Sequence, residues 1–236
     1  MSTCLFLSFR AGASPSRAET ATLDALLRAP SKLRRALVHT PASASDPYVK
    51  DGAPPTLVLQ LYFAELPELE AAVSRAGHLG ALGSPAEFPV LAAAEITQQA
   101  MLVRSFAVPD PAFKTSPGAP HCTYLVSYEG EADDLNAWHA HYLERHTAHM
   151  AAFPDIRELE VYTRLDWVSL QPWRRVNFMQ RNKVVFDDAA ALDRALHSPV
   201  RHAMRADFNA FPRFSGPNRH YAMATRALLA LPRSQS

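Results

Sequence analysis

The 236-residue sequence has only two cysteines and eight glycines, and it lacks a long apolar run. A membrane span needs about 20 consecutive apolar residues, so no membrane partner is expected. Cys4 and Cys122 are too few for a disulfide framework and lie in apolar runs, which favours a cytoplasmic location. The segment Met1–Phe9 lacks a basic leader and begins a strand pattern at once, so we expect no signal peptide.

The sequence also lacks a charge excess. Its 24 basic and 23 acidic residues give a net charge of +1, and no long basic block offers an electrostatic footprint for nucleic acid. Because 48% of the residues are apolar, wholesale disorder is excluded and a packed core is expected. Neither nucleic acid nor a membrane is therefore expected as a partner.

The two halves of the chain resemble each other. Cys4–Leu7 corresponds to Cys122–Leu125, and Val38–Thr40 corresponds to Val161–Thr163 further along. Further matches occur in the same order through most of both halves. A colinear series of this kind predicts a tandem duplication.

Each half predicts the element order βαββαβ of a ferredoxin-like unit. We assign the units to residues 1–110 and 121–236, joined by the linker 111–120. The predicted strands and helices are Cys4–Arg10, Arg17–Arg28, Leu33–Thr40, Thr56–Phe63, Leu66–Arg75 and Thr97–Val108, then Cys122–Tyr128, Asp134–Ala152, Arg157–Leu165, Val176–Phe186, Ala189–Ala210 and His220–Arg226. Helices cover one face of each sheet, so two units pack sheet to sheet as an α+β barrel within one chain. Whether two chains form a homodimer stays open.

A predicted helix in the second half carries four histidines. On a helical wheel, His139 and His146 fall within the apolar stripe. Tyr142 and His149 flank this stripe, whereas His141 falls on the solvated side. Buried histidines are commonly satisfied by hydrogen bonds within a core, and that interpretation is preferred for His139, His141 and His149 taken singly. For His146 we favour proton transfer, since a neutral imidazole is suited to it at neutral pH.

The candidate site is built around this helix. His146 is predicted to be the general acid or base, with Tyr142 beside it as the second catalytic residue. The predicted substrate-binding residues are Trp138, His139, His149, Phe153, Glu160 and Tyr162. No metal site is expected, because the histidine spacing does not match HExxH and Glu144 points away from the stripe. The matching helix of the first half has leucines and no histidine, so the first half is expected to be structural.

Two motifs in the second half resemble the EthD-like family. Residues 146–162 read His-x-x-x-Met-x-x-Phe-Pro-x-Ile-Arg-x-x-Glu-x-Tyr, and residues 198–211 read Ser-Pro followed by Asp-Phe-Asn-Ala-Phe. The pattern departs from the family at Ala148, where a proline is usual, and at Asp155, where a glycine is usual. The matches in the family's motif are His146 and, less strongly, Arg157 and Glu160.

The resemblance implies the dimeric α/β-barrel fold, in which two ferredoxin-like units enclose a small-molecule cavity. It also implies a cofactor-free enzyme that acts on a small, partly aromatic organic molecule, as a lyase, an isomerase or a cofactor-free monooxygenase. Two alternatives stay open at this point. One is a non-catalytic small-molecule-binding barrel, and the other is a haem protein of the same fold with His146 as the axial ligand.

Overall fold

Eight antiparallel strands of the chain close into one barrel. The computed structural model describes residues 2–29 and 31–229, so Met1, Pro30 and residues 230–236 of the predicted units lie outside it. The strands are β1 Thr3–Arg10, β2 Leu33–Pro41, β3 Leu57–Phe63, β4 Glu95–Phe106, β5 His121–Tyr128, β6 Ile156–Arg164, β7 Arg174–Arg175, β8 Gln180–Phe186 and β9 Asn218–Leu229. The helices are α1 Arg17–Arg28, α2 Leu66–Ala72, α3 Leu135–His141, α4 Thr147–Ala151, α5 Ala189–Leu196 and α6 Pro199–Phe208.

The strand order repeats between the halves. The first half forms β4-β1-β3-β2 and the second forms β9-β5-β8-β6, each with antiparallel neighbours. The edges then join, because β2 pairs with β9 and β4 pairs with β6, both antiparallel. The predicted α+β fold, with two ferredoxin-like units in one barrel, is confirmed. These edge ladders close the barrel in addition to the expected packing of sheet against sheet, so no long strand keeps a free edge.

The two faces of each strand have different surroundings, as the two-residue period of a strand requires. In β5, Tyr124 and Val126 lie on the outer face and pack with the helices of the second half. Leu125, between them, lies on the inner face with Phe6 and Met223. The helices therefore cover the outer face of the barrel, and a cavity between helix and sheet is separated from the barrel interior by the sheet itself.

The barrel interior contains buried charges. Lys183 is fully buried, and its Nζ lies 3.1 Å from carboxylate oxygens of both Glu158 and Glu160. Tyr62 and Tyr162 each donate a hydrogen bond of 2.5 Å to Glu160 Oε2. Buried charges are tolerated only when they are paired and hydrogen-bonded, which this network achieves. Burial opposes ionisation of Glu158, but the positive charges of Lys183 and Arg35 hold the pKa of this carboxyl well below the usual range.

The structure differs from the predicted helices at two places. The predicted helix Ala189–Ala210 is two helices, α5 and α6, because Pro199 has no N–H to continue the first helix and begins the second. The predicted long helix of the second half contains a π-helical turn, Tyr142–His146, between α3 and α4. The short segment His78–Gly83 is a 3-10 helix. Among the helices of the described residues, none has the length and apolar character of a membrane span.

Candidate active site

The π-helical turn determines which side chains the helix buries. Trp138, Tyr142, His146 and Met150 are four residues apart, and all four are buried. In a regular α-helix, residues four apart drift by about 40° per step, so four of them do not stay on one line. A π-turn widens the helix and corrects this drift, and such turns occur often at functional sites. The predicted stripe was centred on His139, whereas the observed one is centred on Tyr142 and His146.

His146 forms a hydrogen-bonded pair with a carboxylate from another helix. Its Nδ1 lies 2.8 Å from Oδ2 of Asp207 on α6. The second oxygen of the same carboxylate lies 3.0 Å from Nε2 of His141. The expectation that His141 faces solvent was wrong, because α6 covers that side of the helix. One carboxylate thus holds two imidazoles, and its side chain is only 9% exposed.

The electrostatics of this pair define the protonation state of His146. Burial disfavours the charged imidazole and lowers its pKa to about 4, against the opposing effect of Asp207. Although partial burial opposes ionisation of Asp207, hydrogen bonds from His146 and His141 lower its pKa below the usual value. At neutral pH the carboxylate is therefore ionised and the imidazole of His146 is neutral. Because a carboxylate only accepts, Nδ1 carries the hydrogen and Nε2 holds the lone pair.

His146 lines a small cavity between the helices and the outer face of the second sheet. The cavity has a volume of about 40 Å³, which is space for a few water molecules. Its buried walls are formed by Tyr124, Val126, Tyr128, Tyr142, Met150, Phe153, Asn182, Val184, Leu196, Arg201 and Met204. Partly exposed side chains form its mouth: Val49, Arg205, Phe208, Asn218 and His220. Within the described residues, Nε2 of His146 has no hydrogen-bond partner.

Two polar side chains in the cavity wall have unused capacity. Asn182 donates a hydrogen bond of 2.6 Å from Nδ2 to the Tyr142 hydroxyl. Its Oδ1 is buried and has no partner in the part of the chain that the structure describes. Arg205 lies over the Phe208 ring, with Cζ 5.3 Å from the centroid, and it forms no ion pair with a described carboxylate. Asn182 Oδ1 is thus available as a hydrogen-bond acceptor for a ligand, and Arg205 is available as a cation.

The first half contributes a loop, residues 42–56, to this site. Asp46 accepts hydrogen bonds from Arg201 Nε and Nη2 at 3.0 and 3.1 Å, and from the Tyr124 hydroxyl at 2.9 Å. Tyr48 contacts His202 on α6 through its hydroxyl. The Val49 side chain reaches the cavity wall. The first half thus supplies a loop that holds α6 and narrows the mouth of the cavity.

Three of the sequence-predicted residues meet in the cavity: His146, Tyr142 and Phe153. The Tyr142 ring lies 4.8 Å from the imidazole of His146, and burial raises the pKa of its hydroxyl well above the usual value. Tyr142 is consequently a neutral hydroxyl at physiological pH. Trp138 lies behind it, stacked at 5.1 Å, and does not line the cavity. His139 and His149 are partly exposed and lie outside the cavity wall.

Glu160 and Tyr162 were expected near His146, but they lie inside the barrel. On β6, Leu159 packs with the helices on the outer face, so Glu160 points to the opposite face. The sheet separates these two residues from the cavity. The motif match in the sequence does not indicate which face of the sheet Glu160 and Tyr162 occupy.

Several polar residues around the cavity were not predicted, among them Asp46, Asn182, Arg205 and Asp207. The sequence does contain an indication that Asp207 is a site residue, because it is the acidic residue of the second EthD-like motif. Asp46 lies about 150 positions from its partner Arg201, and no local pattern connects the two. In the described residues there is no cluster of three or more His, Cys, Asp or Glu side chains placed to hold a metal ion.

Comparison with known proteins gives matches in structure only. Neither a protein-family model nor a curated protein matches the sequence. An anthrone oxidase-like protein matches with a TM-score of 0.61 and 12% identity, over 100% of this chain and 96% of its own. A candidate monooxygenase from Fusobacterium nucleatum matches with a TM-score of 0.59 and 8% identity, over 95% and 92%. A chlorite dismutase mutant from Candidatus Nitrospira defluvii matches with a TM-score of 0.54 and 12% identity, over 94% and 90%.

These neighbours confirm the dimeric α/β-barrel fold that the EthD-like resemblance implied. At 8–12% identity, the likeness covers the fold and does not extend to a reaction or a ligand. The chain thus shares its architecture with enzymes, and its chemistry has to be argued from its own residues.

A haem group, the cofactor considered for this fold, does not fit beside His146. The cavity of about 40 Å³ is far smaller than a macrocycle. The imidazole is also flanked by the Tyr142 ring at 4.8 Å and the Phe211 ring at 4.9 Å. A macrocycle at Nε2 would have to displace these rings as well as fill a space much larger than the cavity.

Proposed function

We propose that this protein is a cofactor-free enzyme in which His146 removes a proton from an activated C–H group of a small, partly aromatic ketone. The hydrogen bond of 2.8 Å between His146 Nδ1 and Asp207 carries this proposal, because it orients a neutral imidazole in a cavity wall. A base oriented by a carboxylate in this way is a recurrent device for proton transfer.

The proton transfer follows from the residues of the cavity. Nε2 of His146 accepts the proton, and the electron pair of the broken C–H bond moves onto the ketone oxygen, which gives an enolate. Asp207 stabilises the imidazolium that forms. Arg205, which has no described carboxylate partner, is the positive charge available to the enolate oxygen. An isomerase, a lyase and a cofactor-free monooxygenase differ in what happens to the enolate next.

The walls favour an aromatic substrate that carries a hydroxyl group. Asn182 Oδ1 is an unused acceptor, and a ligand hydroxyl would satisfy it. The apolar walls include Tyr128, Met150 and Phe153. Because the free volume is small, a ring enters only when Arg205 and Phe208 at the mouth move aside. Anthrone, the compound in the name of the anthrone oxidase-like neighbour, is an aromatic ketone with an acidic C–H group and is therefore a suitable test substrate.

A deuterium-exchange experiment tests this function. β-Tetralone is incubated with the protein in D₂O, and loss of its acidic protons is followed by proton NMR against buffer alone. We expect His146→Asn to reduce the protein-dependent rate by roughly 10²–10⁴, because it keeps a donor to Asp207 but removes the base. His139→Asn, outside the cavity on the same helix, is the matched control and retains the rate.

The outcomes separate the competing functions. Equal rates for the wild type and His146→Asn would contradict proton transfer by His146. Binding of β-tetralone without exchange above buffer would favour the non-catalytic barrel. A monooxygenase is tested with anthrone, where one O₂ consumed should give one anthraquinone and one water. Anthrone exchange without uptake of O₂ would exclude the oxygenase and leave the isomerase or lyase.

A further inference from the structure

A second and larger cavity opens at one end of the barrel. Its volume is about 420 Å³, and it is bordered by the ends of β1, β3, β4, β5, β8 and β9. Leu125 and Tyr221 in its wall belong to the inner face of the sheet, whereas His146 lies beyond the outer face. The volume falls within the range of about 300–1,000 Å³ that is common for small-molecule sites. We refer to it as the barrel-mouth cavity.

Arg181 in this cavity lacks a counter-ion. Lys183, two residues along the same face of β8, is neutralised by two carboxylates at 3.1 Å. The Arg181 guanidinium, in contrast, forms no ion pair with any carboxylate in residues 2–29 and 31–229. Its Cζ lies 4.8 Å from the centroid of Phe6 and 4.6 Å from that of Phe178. Its Nε donates a hydrogen bond of 3.5 Å to Gln99 Oε1, which satisfies one donor but does not neutralise the charge. A guanidinium between aromatic rings without a counter-ion is unfavourable unless something else neutralises it.

The surrounding wall adds positive charge but little free negative charge. Arg10 donates to the Ala53 carbonyl at 3.2 Å and to the Tyr221 hydroxyl at 3.3 Å, and it too has no ion pair among the described residues. The two acids of the wall are already engaged. Asp51 accepts from the backbone N–H of His220 at 2.7 Å and pairs with its imidazole at 2.8 Å. Glu129 accepts from the Ser127 hydroxyl at 3.1 Å and lies 3.8 Å from Nε of Arg219, a further cation of the wall.

We propose that the barrel-mouth cavity binds a small organic carboxylate, with its anionic end at Arg181 and Arg10 and its apolar body against Phe178 and Leu125. A guanidinium matches a carboxylate through two parallel hydrogen bonds, and the apolar wall favours a carbon-rich body over a bare inorganic ion. This site is distinct from the proton-transfer site, because Arg181 and Leu125 lie on the inner face of the sheet and His146 lies beyond the outer face, although Val126 borders both cavities.

Benzoate is the probe for this site, and calorimetric titration at low salt is the measurement. We expect benzoate to bind more tightly than sulfate, which lacks an apolar body, and more tightly than benzamide, which lacks the charge. Arg181→Gln should weaken benzoate binding by roughly 10- to 100-fold. The control is Arg174→Gln in the same cavity wall, where Glu95 at 2.8 Å already pairs with the guanidinium. This control should change the affinity by less than about twofold.

Folding is checked separately, and every outcome bears on the proposal. Arg181→Gln removes a charge that has no counter-ion and breaks only the 3.5 Å hydrogen bond to Gln99 Oε1, so it should change the melting temperature little. His146→Asn should bind benzoate as the wild type does. The proposal is overturned if benzamide or sulfate binds as well as benzoate, if Arg181→Gln retains the affinity, or if the wild type does not bind benzoate. Loss of benzoate binding in His146→Asn would show that benzoate binds in the cavity beside His146, and this result would overturn the proposal as well.

Discussion

The neutral state of His146 makes a quantitative prediction for stability against pH. Its pKa is about 4 in the folded protein, against 6.5 for an unperturbed histidine. Between these values the unfolded chain binds more protons at this residue than the folded protein does. Acidification therefore favours unfolding. The stabilisation by neutral His146 is fully present above about pH 6.5 and is lost as the pH falls through about 4.

The difference between the two pKa values corresponds to roughly 3 kcal/mol over the whole window. About 2 kcal/mol of this is already lost at about pH 5. The imidazole is almost fully buried, so little of the effect is screened by solvent. Asp207 does not interfere in this window, since its own pKa lies below the usual carboxyl value.

The assay is denaturant unfolding of the wild type and His146→Asn at about pH 7.5 and about pH 5. Asparagine keeps a donor to Asp207 but does not titrate. Between these pH values the free energy of unfolding of His146→Asn should therefore fall by about 2 kcal/mol less than that of the wild type. The other buried histidines, such as His39 and His121, titrate in both proteins and cancel in the comparison. Proton NMR of the imidazole should give a midpoint near 4. A midpoint near 6.5, or equal losses in both proteins, would refute the neutral pair.

Two further predictions concern the buried ion pairs. Asp46→Asn removes the charge that holds Arg201, and it should reduce the free energy of unfolding by roughly 1–3 kcal/mol in denaturant titrations. An unchanged stability would contradict a structural role for the loop. Lys183→Met leaves Glu160 buried without its close cation, while Glu158 keeps only Arg35, and it should cost roughly 3–5 kcal/mol. The double variant with Glu160→Gln should recover part of this loss, and purely additive effects would exclude direct coupling.

Local patterns were sufficient for the element order and the barrel. The predicted helix Arg17–Arg28 is observed with the same bounds, because Ser16 caps it and its leucines recur at helical spacing. Leu159 and Glu160 are neighbours on β6 and therefore lie on opposite faces of the sheet, as the two-residue period of a strand requires. This period is visible in the sequence. It did not show that the polar face lies inside a barrel, because a polar face usually indicates solvent. Only the closed topology reveals that these charges are buried and paired.

The candidate site was predictable only in part, for a physical reason. A helical wheel assumes a constant 100° per residue, and the π-helical turn at Tyr142–His146 breaks this assumption in the middle of the segment. The wheel therefore assigned His139 to the stripe and His141 to solvent. The partner Asp207 lies 61 positions from His146, and its contact depends on the packing of α6 against the π-turn. A contact between residues so far apart cannot be predicted from the helical or strand periodicity of the sequence.

The fusion of the two halves has a consequence for the site. In the first half the helix equivalent to the site helix buries Leu23 and Leu27 and has no cavity-lining histidine. Its loop, however, supplies Asp46 to the second half, where it holds Arg201 on α6, the same helix that carries Asp207. The geometry of the pair His146–Asp207 thus depends on Asp46, a residue of the first half, which has no such pair among its described residues. Residues of both halves therefore contribute to the one cavity beside His146, although only the second half carries the histidine.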